Sequence, residues 1–448
     1  MFLLVFVYVS LGLLLNYECS YIFYRQAIIW LLPYMFSVQY KHLLCVYLLL
    51  FTSDTTANDI GNNKLQFSGF ATLGAVYSNS DHHGYRKDVS SDVGVFSGEI
   101  DFKQQSLLGL QANWSISPSL DVVYQSVLRD LAKPSLDRYT TLAFLRYDVN
   151  ANWNVRVGRT APDLFLLTEY RDVDFSYVWS TAPNEVYGIV PYRSIDGVDV
   201  TYSQRGFGGV FKTKLFTGSS AAEISSISIV EEIKIKDIIG LSLSFDHFNW
   251  RVETKYSQMK IANEPDSNTL GIDIINKVPD TLWPNSKVFA QSLLMTGKEV
   301  NYSSVSGQYE WENWLSSAEL SRIISNSDVI PKITSGYAAL SYQFNAHQLY
   351  GIYAFTYSDT YVFDEPGVNE QALSELIEGT TYLMNFYSAN QQTISLGWRC
   401  DITNHMASSL QWNFTKLDKG GSTLWLNKSD HNLPEKINTF LLTLSMVF

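Results

Sequence analysis

The side chains best suited to chemistry are few in this sequence, and their spacing does not assemble a reaction centre. Seven histidines occur, at His42, His82, His83, His247, His347, His405 and His431. Hydrolytic chemistry of the Ser–His–acid kind needs a nucleophile and a base side by side. The His82–His83 pair and His431 lie in polar stretches with no serine and acid at a telling spacing, and His247, His347 and His405 fall at short turns. Two adjacent histidines are a thin basis for a metal site. Of three cysteines, Cys19 and Cys45 lie in an apolar N-terminal region and only Cys400 remains, so no disulfide framework or thiolate cluster can be built. No phosphate-cradling glycine loop or zinc spacing occurs. No cofactor and no metal is therefore expected. The unusual stretch is residues 160–194, where Asp163, Glu169, Asp172, Asp174 and Glu185 are interleaved with Phe165, Leu166, Leu167, Tyr177, Val178 and Trp179. A solvent-exposed loop of this length should be more uniformly polar, so these apolar residues need a surface to pack on.

That surface follows from the rest of the chain. The last eleven residues alternate: Phe440, Leu442, Leu444, Met446 and Phe448 share one face, with Thr439, Thr443 and Ser445 on the other beside Leu441 and Val447. A two-residue period marks a strand, and a strand of this length tilted at about 45° crosses a bilayer core. Lipid offers no partners to its backbone, so it must close with others into a barrel. Similar segments recur from Leu65 onward. They are read at 65–77, 107–115, 120–129, 139–149, 152–160, 195–204, 207–217 and 237–247, then at 249–259, 302–311, 313–323, 334–344, 346–358, 390–401, 404–416 and 438–448, sixteen in all. Short turns rich in Asn, Asp, Gly and Pro alternate with long polar connections at 78–106, 130–138, 161–194, 218–236, 260–301, 324–333, 359–389 and 417–437. Strict long–short alternation gives an even-stranded barrel with both termini on the side of the short turns.

The two faces agree with this. Val198, Val200, Tyr202, Leu241, Leu243, Trp250, Val252, Tyr256, Leu396 and Trp398 fall on one face of their strands, and Asp199, Arg251, Glu253, Lys255 and Arg399 on the other. A lipid-facing Arg or Lys near the midplane costs roughly 2–4 kcal/mol, which explains the sorting. Aromatic residues such as Trp114, Trp153, Trp250, Trp311, Trp314 and Trp398 cluster beside the short turns, where an interfacial girdle belongs. Arg159 breaks the parity that places Arg156 inside, and is assigned to the outer end of its strand or to a bulge. Within 359–389, the spacing of Ala372, Leu373, Leu376 and Ile377 predicts a short helix over 369–379, without chemistry.

Bulk properties fit an all-β, transmembrane, antiparallel up-and-down β-barrel of sixteen strands. Charged residues are only 17%, yet mean hydropathy is −0.04, too polar for a bundle of membrane helices. The net charge of −12 argues against a nucleic-acid partner. It suits a surface or pore that mildly favours cations, and serves solubility equally well. Residues 1–57 read as a leader and 58–448 as a single barrel domain. Lys41-His42, the apolar run Leu43–Phe51 and Thr55-Thr56-Ala57 have the order of a secretory signal cut after Ala57. Residues 1–37 have no place in it, which points to translation from Met35 or Val38 and a signal of 35–57 or 38–57.

The aromatic C-terminal strand resembles the closing strand of Gram-negative outer-membrane porins of the sixteen-stranded type. The segments Val-Gly-Arg-Thr-Ala-Pro at 157–162, Glu-Tyr-Arg-Asp-Val at 169–173, Glu-Val-Tyr at 185–187 and Asp-Gly-Val-Asp at 196–199 sharpen the resemblance. It implies an integral outer-membrane protein with periplasmic termini, a homotrimer among lipid and lipopolysaccharide, and a water-filled channel through which small polar solutes and ions diffuse passively. It further implies a third loop folded into the lumen, so that Asp163, Glu169, Asp172, Asp174 and Glu185 face a basic wall of Arg129, Arg146, Arg156, Lys212, Lys214, Arg251 and Lys255. Pairing of the loop acids with the loop's own Arg171 and Arg193 is the competing expectation. Two other functional classes stay open: a barrel enzyme of the lipase or protease type, and a plugged structural or adhesive barrel.

Overall fold

A computed structural model describes residues 59–60, 63–226, 229–428 and 435–448. The leader at 1–57, with its cleavage and start sites, and His431 lie outside the described residues. Sixteen strands form the barrel. They are β1 Asn63–Ser78, β2 Leu107–Ser117, β3 Leu120–Arg129, β4 Thr140–Asp148, β5 Trp153–Thr160, β6 Ile195–Gly206, β7 Gly209–Ser225 and β8 Val230–His247. The second half comprises β9 Trp250–Ile261, β10 Glu299–Trp311, β11 Trp314–Ser325, β12 Ile333–Phe344, β13 His347–Ser358, β14 Ala389–Thr403, β15 Met406–Ser422 and β16 Lys436–Val447. Each pairs antiparallel with the next, and β16 returns to β1 in a register running from Phe70↔Val447 to Ser78↔Thr439. The ring has no edge, so every strand finds both neighbours. Phe448 fastens the seam: its N–H donates to the Gly69 carbonyl at 2.9 Å, and Gly69 N–H donates to the Phe448 carbonyl at 2.8 Å.

Alternation sorts the faces as the sequence predicts. On β16, Phe440, Leu442 and Phe448 beyond its end are exposed, while Thr439, Leu441, Thr443 and Ser445 are buried. Beside the short turns the outward aromatics touch one another. Phe211 and Phe245 lie 4.2 Å apart, Phe245 and Trp250 5.1 Å, and Trp314 and Tyr342 4.7 Å. Both ends of the barrel chain reach this side. Lys64 pairs with Ser115 next to the turn between β2 and β3, and Val447 N–H donates to His405 O in the turn between β14 and β15. No helix among the described residues is long and apolar enough to cross a membrane.

Several connections differ from the sequence reading. Residues 218–236 are mostly strand, since β7 and β8 continue as a hairpin past bulges at Gly218/Ser220 and Lys236/Ile239. Ala222, Ile224, Ile233 and Ile235 supply the buried face, which the flanking Glu and Lys residues hide in the sequence pattern. The 260–301 connection contains helices α1 Asp266–Asn276 and α2 Ser286–Ser292. The helix expected over 369–379 forms instead as α3, Ser374–Asn385, where Thr380, Met384 and Asn385 are its buried residues. The first residues of the 417–437 connection extend β15, and Trp425–Asn427 pairs with His83–Tyr85. Arg159 follows Gly158, whose φ of +124° only glycine holds without strain, and it bonds Asp196 at 2.7 Å and Asp137 at 2.9 Å. Asp196 and Asp137 are both exposed, at the end of the strands away from the short turns.

Candidate functional site

Residues 161–194 cross from β5 to β6 in two 3-10 turns, Thr168–Tyr170 and Asp174–Ser176, and a one-turn helix, Asn184–Tyr187. Their apolar residues do find a surface. Leu164, Phe165, Trp179 and Tyr187 belong to one buried cluster with Tyr302, Tyr337 and Tyr350 of β10, β12 and β13. Polar anchors surround that contact. Glu319 of β11 accepts from Leu166 N–H at 3.3 Å and Tyr187 O–H at 2.9 Å. Ser304 of β10 donates to Leu164 O at 2.9 Å. Arg399 of β14 donates to the carbonyls of Phe175 at 3.0 Å and Tyr177 at 2.6 Å. Ser180 N–H donates to Tyr350 Oη at 3.0 Å and Gln411 Oε1 at 3.1 Å. Gly397 makes room for this last contact, because a Cβ there would lie 2.1 Å from the Tyr350 ring. Anchors thus come from strands spread over β10–β15.

Of the loop acids, two meet wall cations directly. Asp163 lies 2.8 Å from Lys255 Nζ and 3.6 Å from Lys214 Nζ. Burial alone would raise its pKa, but these two ammonium groups outweigh burial and hold it well below the usual carboxylate range. Glu169 lies 3.4 Å from Arg156 Nη1 and 3.8 Å from Lys214 Nζ, and its side chain is 63% exposed. Wall acids complete the pattern. Arg156 is held by Asp199 at 2.9 Å, Lys255 by Glu253 at 2.7 Å, and Arg251 bonds both Glu253 and Asp246. Asp246 also bonds Lys212 at 2.9 Å. Five cations and five carboxylates therefore alternate without interruption from Lys212 through Asp246, Arg251, Glu253 and Lys255 to Asp163, Lys214, Glu169, Arg156 and Asp199.

The remaining loop acids are engaged elsewhere. Asp172 pairs with Arg193 of its own loop, and Arg193 also pairs with Asp88, which Arg129 contacts at 3.2 Å. Arg129 thus reaches the third loop only through the first. Asp174 is 3.3 Å from Lys87 and accepts from Tyr177 O–H. Buried Glu185 meets no cation; it accepts from Gln391 at 2.7 Å and from Thr393. Arg146 pairs with Asp121 on the neighbouring strand, at 44% exposure, and touches no loop acid. Lys212 and Arg251 also stay on the wall.

Sequence reasoning missed Glu319 as an anchor and the Arg86-Lys87-Asp88 run of the first long connection. Arg86 is buried and bonds Ser225 O at 2.6 Å and Thr423 O, and its own carbonyl accepts from Asn184 at 2.8 Å. Burial lowers its pKa to about 10. The inward parity of Glu319 was readable; the tie between distant loops was not. His83 does acquire an acid: Nδ1 lies 2.6 Å from Glu435 Oε2, to which Ser80 Oγ also donates at 2.7 Å. Here the serine proton goes to the carboxylate rather than the imidazole, and Ser80 and His83 are both buried. That geometry does not activate a nucleophile.

Polar inner-face residues differ in cover around the ring. Lys255, Glu319, Thr393 and Gln411 are buried where the third loop contacts them, as is Asp199 of β6, whereas Gln111, Asn113, Asn154, Thr201 and Ser203 of β2, β5 and β6 are partly exposed.

No family model matches the sequence, and none of the curated proteins is similar to it. Solved structures do match. The outer membrane channel DcaP of Acinetobacter baumannii is 13% identical with a TM-score of 0.52, the match covering 88% of this chain and 99% of that one. An anion-selective porin from Comamonas acidovorans is 13% identical with a TM-score of 0.50, covering 86% and 100%. Outer-membrane expressed OmpT of Vibrio cholerae is 11% identical with a TM-score of 0.49, covering 88% and 100%. At such identities the likeness is one of fold. Sixteen antiparallel strands in an up-and-down ring, closed by a C-terminal aromatic strand, give this chain the barrel fold of that channel and that anion-selective porin.

Proposed function

We propose that the chain is an outer-membrane porin without enzymatic activity, forming a water-filled channel for passive diffusion of small polar solutes and ions. The third loop lies in the lumen and narrows it, with Asp163 and Glu169 opposite Arg156, Lys214 and Lys255. The short turns and both termini are periplasmic, and lipid and lipopolysaccharide surround the outer face. What supports this reading above all is the attachment of residues 161–194 to the inward faces of β10–β15, while Gln111, Asn113, Asn154, Thr201 and Ser203 of β2, β5 and β6 keep partial exposure. That asymmetry leaves the watery passage along the β2–β6 side.

The homotrimer belongs to the same proposal. Strands β3, β4 and β5 have 10, 9 and 8 residues, against 12 to 18 in β6–β16. Eight tilted residues rise roughly 19 Å, less than the apolar band of about 25 Å. A wall that low favours cover by another copy rather than by lipid. Planar-bilayer recording of the purified protein tests the function. Stable stepwise openings, closing in three equal steps per insertion, are expected. Silence from correctly folded protein would favour the plugged or enzymatic barrel.

A further inference from the structure

Resting on the channel reading, we infer that the narrow zone is specific for small zwitterions, which enter the ion-pair chain at Glu169 by exchanging both of their charges with it. The chain of alternating charges has no net charge, so a simple cation or anion meets nearly cancelling fields a few ångströms away. The overall charge of −12 does not alter this, because much of it sits elsewhere. Residues 359–389, for example, contain six acids and no Lys or Arg.

Glu169 is the joint at which the chain opens. Its contacts, 3.4 Å to Arg156 and 3.8 Å to Lys214, include the longest in the series, and its side chain is 63% exposed. Both cations have a second carboxylate behind them, Asp199 at 2.9 Å from Arg156 and Asp163 at 3.6 Å from Lys214, and their side chains are only 13% and 8% exposed. A fixed pair of cations covered by one swinging carboxylate is a site for an incoming carboxylate. Displacement leaves Glu169 without its cations, and an ammonium group on the same solute restores the lost pair. A solute with a carboxylate alone leaves Glu169 without a cation, and one with an ammonium alone draws Glu169 away and leaves Arg156 and Lys214 only Asp199 and Asp163. A molecule bearing both signs replaces, in one exchange, both the carboxylate that the two cations give up and the cations that Glu169 gives up.

The test uses the full mature chain reconstituted in liposomes and planar bilayers, with alanine and its neutral isomer lactamide as size-matched probes. Alanine influx should exceed lactamide influx several-fold, and the reversal potential in a tenfold KCl gradient should lie close to zero. In Glu169→Gln the alanine preference should vanish and the reversal potential should move toward chloride, while Glu169→Asp should retain both wild-type properties. Heat-modifiable electrophoretic mobility checks that each variant folds. Openings with equal alanine and lactamide influx, or with strong ion selectivity in the wild type, would overturn the zwitterion proposal and leave the channel intact. An absence of openings would overturn both.

Discussion

Replacing Lys255 by methionine probes the attachment of the third loop most directly. The ammonium group is 3% exposed and touches three groups: Asp163 at 2.8 Å, Glu253 at 2.7 Å and the Phe165 carbonyl. Methionine matches most of its volume, so the change acts through charge and hydrogen bonding rather than through a cavity. Breaking a buried pair by removing one partner costs about 3–5 kcal/mol, because the other charge stays buried. Here each carboxylate keeps a second cation, Lys214 at 3.6 Å from Asp163 and Arg251 beside Glu253. The loss should therefore fall at the lower end, about 3 kcal/mol. Urea unfolding in lipid vesicles reads the global term, and hydrogen exchange over residues 163–170 reads the local one. Adding Asp163→Asn removes a carboxylate that has lost its nearer cation, so the double variant should recover part of the loss. Such a double-mutant cycle isolates the coupling of the pair. Unchanged unfolding and unchanged exchange in Lys255→Met would refute the idea that this ion pair holds the loop.

Other expectations concern acid, glycine and lipid. Asp163 has a folded pKa below its unfolded value, so its contribution is complete above the unfolded value of about 3.9 and is lost only as pH falls through the lower folded value. Conductance should thus be insensitive to this group between pH 7 and pH 4.5, whereas Asp163→Asn should alter it already at pH 7; a wild-type transition near pH 5 that the variant abolishes would contradict this. Gly397→Ala should push the Tyr350 ring off its seat and weaken the Ser180 contact, costing about 1–2 kcal/mol for overpacking, read as faster exchange at Ser180. Leu396 is 53% exposed on the outward face, and Leu396→Arg should lower unfolding stability in bilayers by about 2–4 kcal/mol; no loss there would mean that this face does not meet lipid.

The strands were legible because a barrel writes its two environments into every second residue. Parity alone separated Val198 from Asp199 and Val252 from Glu253, and the structure keeps each pair on opposite faces. Loop lengths gave the up-and-down order and the side on which the termini lie. The rule weakened beyond the bulges of β7 and β8: along Ala221–Ile235 Glu and Lys residues interrupt the apolar alternation, so a continuing hairpin looked like a loop. Helix α1 was obscured for a related reason, since it packs on other loop elements and only Asn268 and Ile275 are fully covered.

Parity gives a face but neither a height nor a neighbour, and the site depends on both. Arg156 meets Asp199 because the β5–β6 register sets them opposite each other, a relation fixed by the stagger of the ring and not by composition. Lys255 meets Asp163 only because the loop lies across to β9, which local sequence does not encode. The same limit applies to the loop acids themselves. Glu169 and Glu185 look alike in the sequence, one beside Tyr170 and the other beside Val186, yet one is 63% exposed between two cations and the other is buried against Gln391 and Thr393. A buried carboxylate and an exposed one differ in what surrounds them, not in type or spacing. Glu185 is enclosed with an amide and a hydroxyl as its donors, whereas Glu169 reaches the surface between Arg156 and Lys214.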